Sequence, residues 1–82
     1  MAEDVRIMVG RNVKQLRLAA GLTQAALAAR LGVDRAYVSG LELGQRNPTV
    51  LTLWHVAGAL GVRLQAFFEE DKSRPPAGSR RG

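Results

Sequence analysis

Polar side chains with the chemistry to contact other molecules gather between Thr23 and Glu42, in the stretch TQAALAARLGVDRAYVSGLE. Thr23 and Asp34 are residue types that begin helices well, because their side-chain oxygens accept hydrogen bonds from free backbone N–H groups. Gly32 lies between them and favours a tight turn. The stretch therefore predicts two short, closely joined helices. Such helices cross steeply, and the second can then enter the major groove of DNA.

Residues that carry catalysis or bind metals are scarce in this chain. It has no cysteine and one histidine, His55, which argues against a disulfide framework and against a zinc site. It has no glycine-rich phosphate loop, and its acidic cluster at 69–71 is consistent with a solvated segment. We therefore expect no enzyme activity, no catalytic residue, no metal and no cofactor. We also expect no small-molecule effector, because few residues remain to build a sensing domain.

Apolar residues at steps of three and four predict helices on both sides of this unit. In the first helix they form one stripe, made of Val5, Val9, Val13, Leu16 and Ala20. Helices are predicted at about 4–20, 24–31, 35–43, 50–60 and 64–70. The predicted fold class is all-α, a compact five-helix bundle containing a helix-turn-helix at about 23–43.

Length and charge indicate one small domain with a separate tail. The chain has 82 residues and a net charge of +5, of which residues 71–82 carry +3. We predict a folded domain over 1–70 and a disordered basic tail over 71–82, rich in Pro, Gly, Ser and charge. A positive net charge is compatible with binding to nucleic acid, although many small soluble domains are also basic. No apolar run reaches the ~20 residues that span a bilayer.

The sequence resembles the Cro/repressor-type helix-turn-helix regulators, often called the XRE family. The resemblance covers about residues 6–68. The matching pieces are Arg17, GLTQ at 21–24, LA at 27–28, LGV at 31–33, YVSGLE at 37–42, RNPT at 46–49, Leu53 and ALGV at 59–62. The order DRAYVSG, RNPT and FFE is also similar to the controller proteins of restriction–modification systems. The resemblance implies a lambda-repressor-like domain whose second and third helices read DNA.

The same resemblance implies base contacts from the third helix. Arg35 and Ala36 match the base-reading positions, and an arginine there can bind guanine with ~1–3 kcal/mol of discrimination. The alternative for Arg35 is contact with phosphate or solvent only. Tyr37 either approaches DNA or packs beside the second helix. Ser39 lies one turn beyond Arg35, where a base or a phosphate is within reach.

Phosphate contacts are implied for Gln24, Arg46 and Asn47. Gln24 opens the second helix, where backbone N–H groups and a side-chain amide can hold a phosphate. Arg46 and Asn47 follow the third helix, with an ordinary polar loop as the alternative.

Gly40 is unusual in a reading helix, since glycine costs ~1 kcal/mol there relative to alanine. Either it lets the backbone approach DNA, or, as we prefer, no base is read at that position.

Two further roles are structural. The resemblance implies a partly buried ion pair between Arg17 and Glu42, whose loss would impair DNA binding through folding.

The residues that are candidates for a dimer interface are Leu51, Trp54, Phe67 and Phe68. Alternatively all four seal the monomer core, the interpretation we prefer for Phe67. Arg63 is a poor N-cap for the fifth helix.

The leading hypothesis is a sequence-specific, double-stranded DNA-binding transcriptional regulator. It would bind an inverted-repeat operator as a homodimer, with RNA polymerase as a further candidate partner. The expected location is the bacterial cytoplasm, associated with the nucleoid. The competing hypothesis is an antitoxin or protein-binding adaptor, because one fold serves several functions. An antitoxin usually needs a segment that wraps its toxin, and only the polar tail is spare.

Overall fold

The computed structural model describes residues 4–70, so the predicted tail at 71–82 lies outside the described residues. Its elements are α1 (Val5–Ala19), α2 (Gln24–Leu31), α3 (Arg35–Glu42), α4 (Val50–Leu60) and a 3₁₀ helix (Leu64–Phe68). No strand occurs between residues 4 and 70, and the all-α prediction is confirmed.

The prediction of five α-helices is wrong at the last element, which is a five-residue 3₁₀ helix rather than an α-helix over 64–70. Arg63 holds its N-cap position and makes no side-chain capping hydrogen bond there. Without a cap, a segment this short adopts the tighter 3₁₀ turn, which is common in short connecting pieces.

Two threonines begin helices in the predicted way. The Thr23 hydroxyl accepts a hydrogen bond from the Ala26 N–H, and the Thr49 hydroxyl accepts one from the Thr52 N–H, both at 3.0 Å. Asp34 occupies the N-cap position of α3, but its side chain makes no capping hydrogen bond, which corrects its predicted role. The first turn of α3 therefore keeps N–H groups that no side-chain cap occupies.

Asp4 is the N-cap of α1, and its carboxylate accepts a hydrogen bond from the Arg6 backbone N–H at 2.9 Å. The Arg6 guanidinium also contacts this carboxylate at 2.6 Å. The hydrogen bond from the Arg6 side chain lowers the pKa of Asp4 to about 2. The capping group is therefore an anion at neutral pH, the charge that a helix N-terminus favours.

The core lies where all the elements meet. Its buried apolar residues are Val9, Val13, Leu27, Ala28, Val38, Leu41, Leu53, Val56, Ala57, Leu60 and Phe67. The predicted stripe of α1 is correct in its middle and wrong at its ends, since Val5 is 51% exposed and Ala20 is also exposed. Val5 is the first residue of α1 and Ala20 is its C-cap, so both lie at the ends of the helix.

A buried asparagine holds the 3₁₀ helix against α1. Asn12 is 6% exposed, and its Nδ2 donates to the backbone carbonyl oxygens of Phe67 at 2.9 Å and of Glu69 at 2.6 Å. These bonds satisfy a polar group that would otherwise be costly to bury. The sequence pattern did not indicate this role.

Within residues 4–70, no helix combines the length and the apolar character that crossing a membrane requires.

Candidate nucleic-acid interface

The α2–turn–α3 unit presents one side of α3 outward. Gly32 ends α2 in the left-handed region at φ 72°, and the Val33 N–H donates to the Ala28 carbonyl at 3.0 Å. Val38 and Leu41 bury the inner side of α3 in the core. The side of α3 away from the core is therefore available for contact with a large partner.

The residues that were predicted to contact bases lie in the first turn of α3 and at the start of its second turn. Arg35 and Ala36 are exposed, whereas Tyr37 and Ser39 are half-buried. All four lie on a helix of eight residues, so a partner contacting Arg35 is within one turn of Ser39. The structure thus places these residues within the first five positions of α3, of which Arg35 and Ala36 are exposed.

A buried ion pair joins α1 to the end of α3. Arg17 Nε lies 2.6 Å from Glu42 Oε2, and Arg17 Nη2 lies 3.1 Å from Glu42 Oε1. Arg17 Nη1 also donates to the Leu22 carbonyl at 2.8 Å. The hydrogen bonds to the Glu42 carboxylate raise the pKa of Arg17 above its ordinary value. This fork–fork geometry fixes the direction of α3 relative to α1.

Gln24 connects this ion pair to the exposed surface. Its Nε2 donates to Glu42 Oε1 at 3.1 Å, and its Oε1 accepts a hydrogen bond from Arg35 Nη1 at 3.2 Å. An unbroken chain of hydrogen bonds therefore runs from Arg17 to the Arg35 guanidinium. No sequence spacing indicates this chain of hydrogen bonds, because Gln24 is distant from both partners in the sequence.

Arg46 and Asn47 lie in the loop between α3 and α4, and both are exposed. The Arg46 guanidinium carbon lies 5.2 Å from the centroid of the Tyr37 ring, a distance suited to a cation–π contact. Arg46 is thereby placed beside the first turn of α3. The exposed residues of α3 and of this loop therefore include two cations, Arg35 and Arg46.

The candidate dimer residues divide into two groups. Leu51, Trp54 and Phe68 are 64%, 62% and 45% exposed. Phe67 is fully buried in the monomer core and offers no side-chain surface to a second subunit. Trp54 also lines an open groove of about 480 Å³ that includes residues of the 3₁₀ helix. Three of the four candidates are therefore accessible apolar side chains.

Two short helices, a left-handed glycine turn and an exposed polar first turn on the second helix define a helix-turn-helix unit. The helix-turn-helix family HTH_3 matches residues 13–67. The chain belongs to this family.

Similar proteins are named as regulators. A regulator of Sinorhizobium fredii called "Uncharacterized HTH-type transcriptional regulator y4dJ" is 52% identical over 72% of this chain and 77% of its own length. Control protein C.MunI of Mycoplasma is 34% identical over 82% of this chain and 92% of its own. The crystal structure of the restriction–modification controller protein C.AhdI from Aeromonas hydrophila superposes with a TM-score of 0.73 at 38% identity. That superposition covers 77% of this chain and 96% of C.AhdI.

These similarities confirm the predicted kinship with Cro/repressor-type regulators and with restriction–modification controller proteins. The protein is a DNA-binding transcription regulator of the helix-turn-helix class.

Proposed function

We propose that the protein is a homodimer that reads an inverted-repeat operator with the N-terminal turn of α3. The observation that carries this proposal is the exposed Arg35 guanidinium, which Gln24 ties to the buried ion pair. A side chain held in place before binding loses less conformational entropy on contact. Arg35 would donate two hydrogen bonds to a guanine in the major groove.

The neighbouring residues complete the proposed contact surface. Ala36 would offer its methyl group to a thymine, and Tyr37 and Ser39 would contact bases beside the guanine. Phosphates would be held by Gln24, Arg46 and Asn47, which flank the reading turn on both sides. These phosphate contacts would fix the register of α3 but would not read sequence.

The experiment that tests this function is selection of binding sites from random duplex DNA with the purified protein at near-physiological salt. We expect enrichment of an inverted repeat whose half-site centres are ~34 Å apart or a multiple of that. If each subunit neutralises ~3–5 phosphates, affinity falls steeply as salt rises. Failure of a folded protein to enrich any sequence would contradict the proposal.

Replacing Arg35 by alanine is expected to reduce discrimination at one base pair of each half-site by about 1–3 kcal/mol, or five- to 150-fold. Binding to unrelated DNA should fall much less, because one cation among several is lost. Competition titrations with operator and scrambled duplexes measure both quantities. Lys14→Ala is the control, since it removes one exposed positive charge from α1. Equal losses on both duplexes would exclude Arg35 as a base reader.

For the dimer, we propose that Leu51, Trp54 and Phe68 form the apolar centre of the subunit interface. Trp54→Ala should raise the dimer dissociation constant by about 30-fold for each of the two copies in a homodimer, since buried tryptophans at interface centres contribute ~2 kcal/mol or more each. Folding should be retained, because Trp54 is 62% exposed in the monomer. Sedimentation across a concentration series measures the change. Lys14→Ala, an exposed change on α1, is the control, and equal dissociation constants for the two variants would contradict this interface.

Binding at promoters would make RNA polymerase a second macromolecular partner, and would place the protein with the nucleoid in the bacterial cytoplasm. Footprinting the operator together with polymerase would test this partnership. A joint footprint would support contact, whereas mutually exclusive footprints would support repression by occlusion.

A further inference from the structure

Gly40 lies in the interior of α3, where glycine is an unfavourable helix residue. Gly40 is nevertheless buried. The group that approaches it is Arg46. A Cβ atom built at Gly40 would lie 3.0 Å from Arg46 Nε and 3.3 Å from Arg46 Cγ, closer than ordinary van der Waals contact. The absent side chain therefore leaves the space that the Arg46 side chain occupies.

The end of α3 explains why Arg46 returns to this position. The Gln45 N–H donates to the Gly40 carbonyl at 2.9 Å, and the Gly44 N–H donates to the Leu41 carbonyl at 3.1 Å. Gly44 itself is in the left-handed region at φ 76°. This is the hydrogen-bond pattern of a Schellman turn, which folds the chain back beside the last helical turn. The next residue, Arg46, therefore starts next to Gly40.

From there the Arg46 side chain passes over Gly40 and reaches the ring of Tyr37, one helical turn earlier. The guanidinium carbon lies 5.2 Å from the ring centroid, within cation–π range. Tyr37 and Gly40 are three residues apart and so lie on the same side of α3. The backbone of Gly40 and the ring of Tyr37 thus form a surface against which the side chain of the loop residue Arg46 packs. We call this surface the seat of Arg46.

We propose that Gly40 is a positioning residue of the DNA interface: its missing side chain seats Arg46 against Tyr37, so that the Arg46 guanidinium is already beside the reading turn when DNA arrives. The inference rests on the proposed function, since it concerns the same surface. It differs from both roles considered from the sequence. Gly40 neither approaches DNA itself nor marks an idle position; it acts through Arg46.

The first test is made on the protein without DNA. In the wild type, the tyrosine ring current should shift the Arg46 Cδ protons upfield in the NMR spectrum. In Gly40→Ala this shift should be lost, because the added methyl displaces a flexible side chain. The matched control is Gly58→Ala, also a helical glycine, around which an added Cβ meets no heavy atom within 4 Å. The control should keep the shift, and both variants should unfold at or above the wild-type temperature. A Gly40→Ala protein that keeps the shift would overturn the proposal.

The second test uses the selected operator duplex. Gly40→Ala should weaken binding by about two- to fivefold, the fold-change that corresponds to losing one exposed cation–π contact. In an Arg46→Ala background the same change should have no further effect, because the residue that Gly40 positions is gone. An equal weakening in both backgrounds would show that DNA meets Gly40 directly, and would overturn the proposal.

The two tests separate this inference from the proposed function. If the wild type binds no duplex, the proposed function fails, and with it the role of the seat in binding. The NMR comparison would still decide whether Gly40 seats Arg46. If the wild type binds its operator and the double-mutant comparison fails, only the role of Gly40 is lost.

Discussion

Replacing Arg17 by methionine is expected to lower the free energy of unfolding by about 3–5 kcal/mol, because it leaves a buried carboxylate without its main partner. Arg17 and Glu42 are 6% and 9% exposed, and their two side chains make two direct hydrogen bonds. After the change, the hydrogen bond from Gln24 is the one that Glu42 keeps among residues 4–70. The Leu22 carbonyl also loses the donor it has in Arg17.

Urea denaturation followed by circular dichroism measures this loss. Lys14→Met is the matched control, since it removes an exposed cation from the same helix and should change stability by less than about 0.5 kcal/mol. Adding Glu42→Leu to Arg17→Met should recover part of the loss, because an apolar pair no longer strands a charge. A single variant as stable as the control would show that the ion pair does not hold α1 to α3.

The effect of Arg17→Met on DNA should follow from folding rather than from contact. A loss of 3–5 kcal/mol is a large part of the ~5–15 kcal/mol that stabilises a small domain. The apparent affinity of this variant for DNA should therefore decrease as the temperature rises, because the folded fraction decreases. Arg35→Ala, by contrast, should lower operator affinity at temperatures where the protein is fully folded. A temperature series of titrations distinguishes the two variants.

Replacing Gly10 by alanine is expected to lower the free energy of unfolding by about 3 kcal/mol, at the upper end of the usual cost of overpacking. A Cβ atom there would overlap the backbone carbonyl oxygen of Leu41 and lie 2.7 Å from that of Glu42. These are backbone atoms, so no side-chain rotation can relieve the contact. Helix α1 would have to move away from the end of α3, and the ion pair between the two helices would be stretched.

Gly58→Ala provides the control for Gly10→Ala as well. An added Cβ at Gly58 meets no heavy atom within 4 Å, so the better helix propensity of alanine should raise stability by up to about 1 kcal/mol. Glycine-to-alanine substitution should thus lower the free energy of unfolding at position 10 and raise it at position 58. Thermal or urea unfolding measures both. A Gly10→Ala protein that is as stable as Gly58→Ala would show that α1 and α3 do not meet as closely as the structure indicates.

The helices and their ends were largely predictable because their signals are local. Thr23 and Thr49 precede apolar runs of helical period, and glycines in the left-handed region end α2 and α4 at Gly32 and Gly61. A cap and its first turn are within four residues of each other, so the sequence pattern contains both partners. The last element was mispredicted because its apolar pattern fits an α-helix, whereas its length and missing cap favour a 3₁₀ turn.

The site was predictable as a set of residues but not as an arrangement. The family motif names Gln24, Arg35 and Arg46 as DNA-facing residues, and these assignments remain proposals. The motif does not indicate which other side chains of the free protein these residues contact. The Arg17-to-Arg35 chain of hydrogen bonds and the seat of Arg46 join residues from different elements, so no spacing rule indicates them.

By itself, the sequence determined the helical class, the position of the helix-turn-helix and the kinship with DNA-binding regulators. Each depends on short-range periodicity, on capping residues or on a motif that lies in one continuous stretch. Only the tertiary structure decided why glycine stands at two helical positions: Gly10 faces the backbone of α3, and Gly40 faces the side chain of Arg46. A glycine's role depends on which atoms fill the space its side chain would take, and those atoms come from residues brought near by folding.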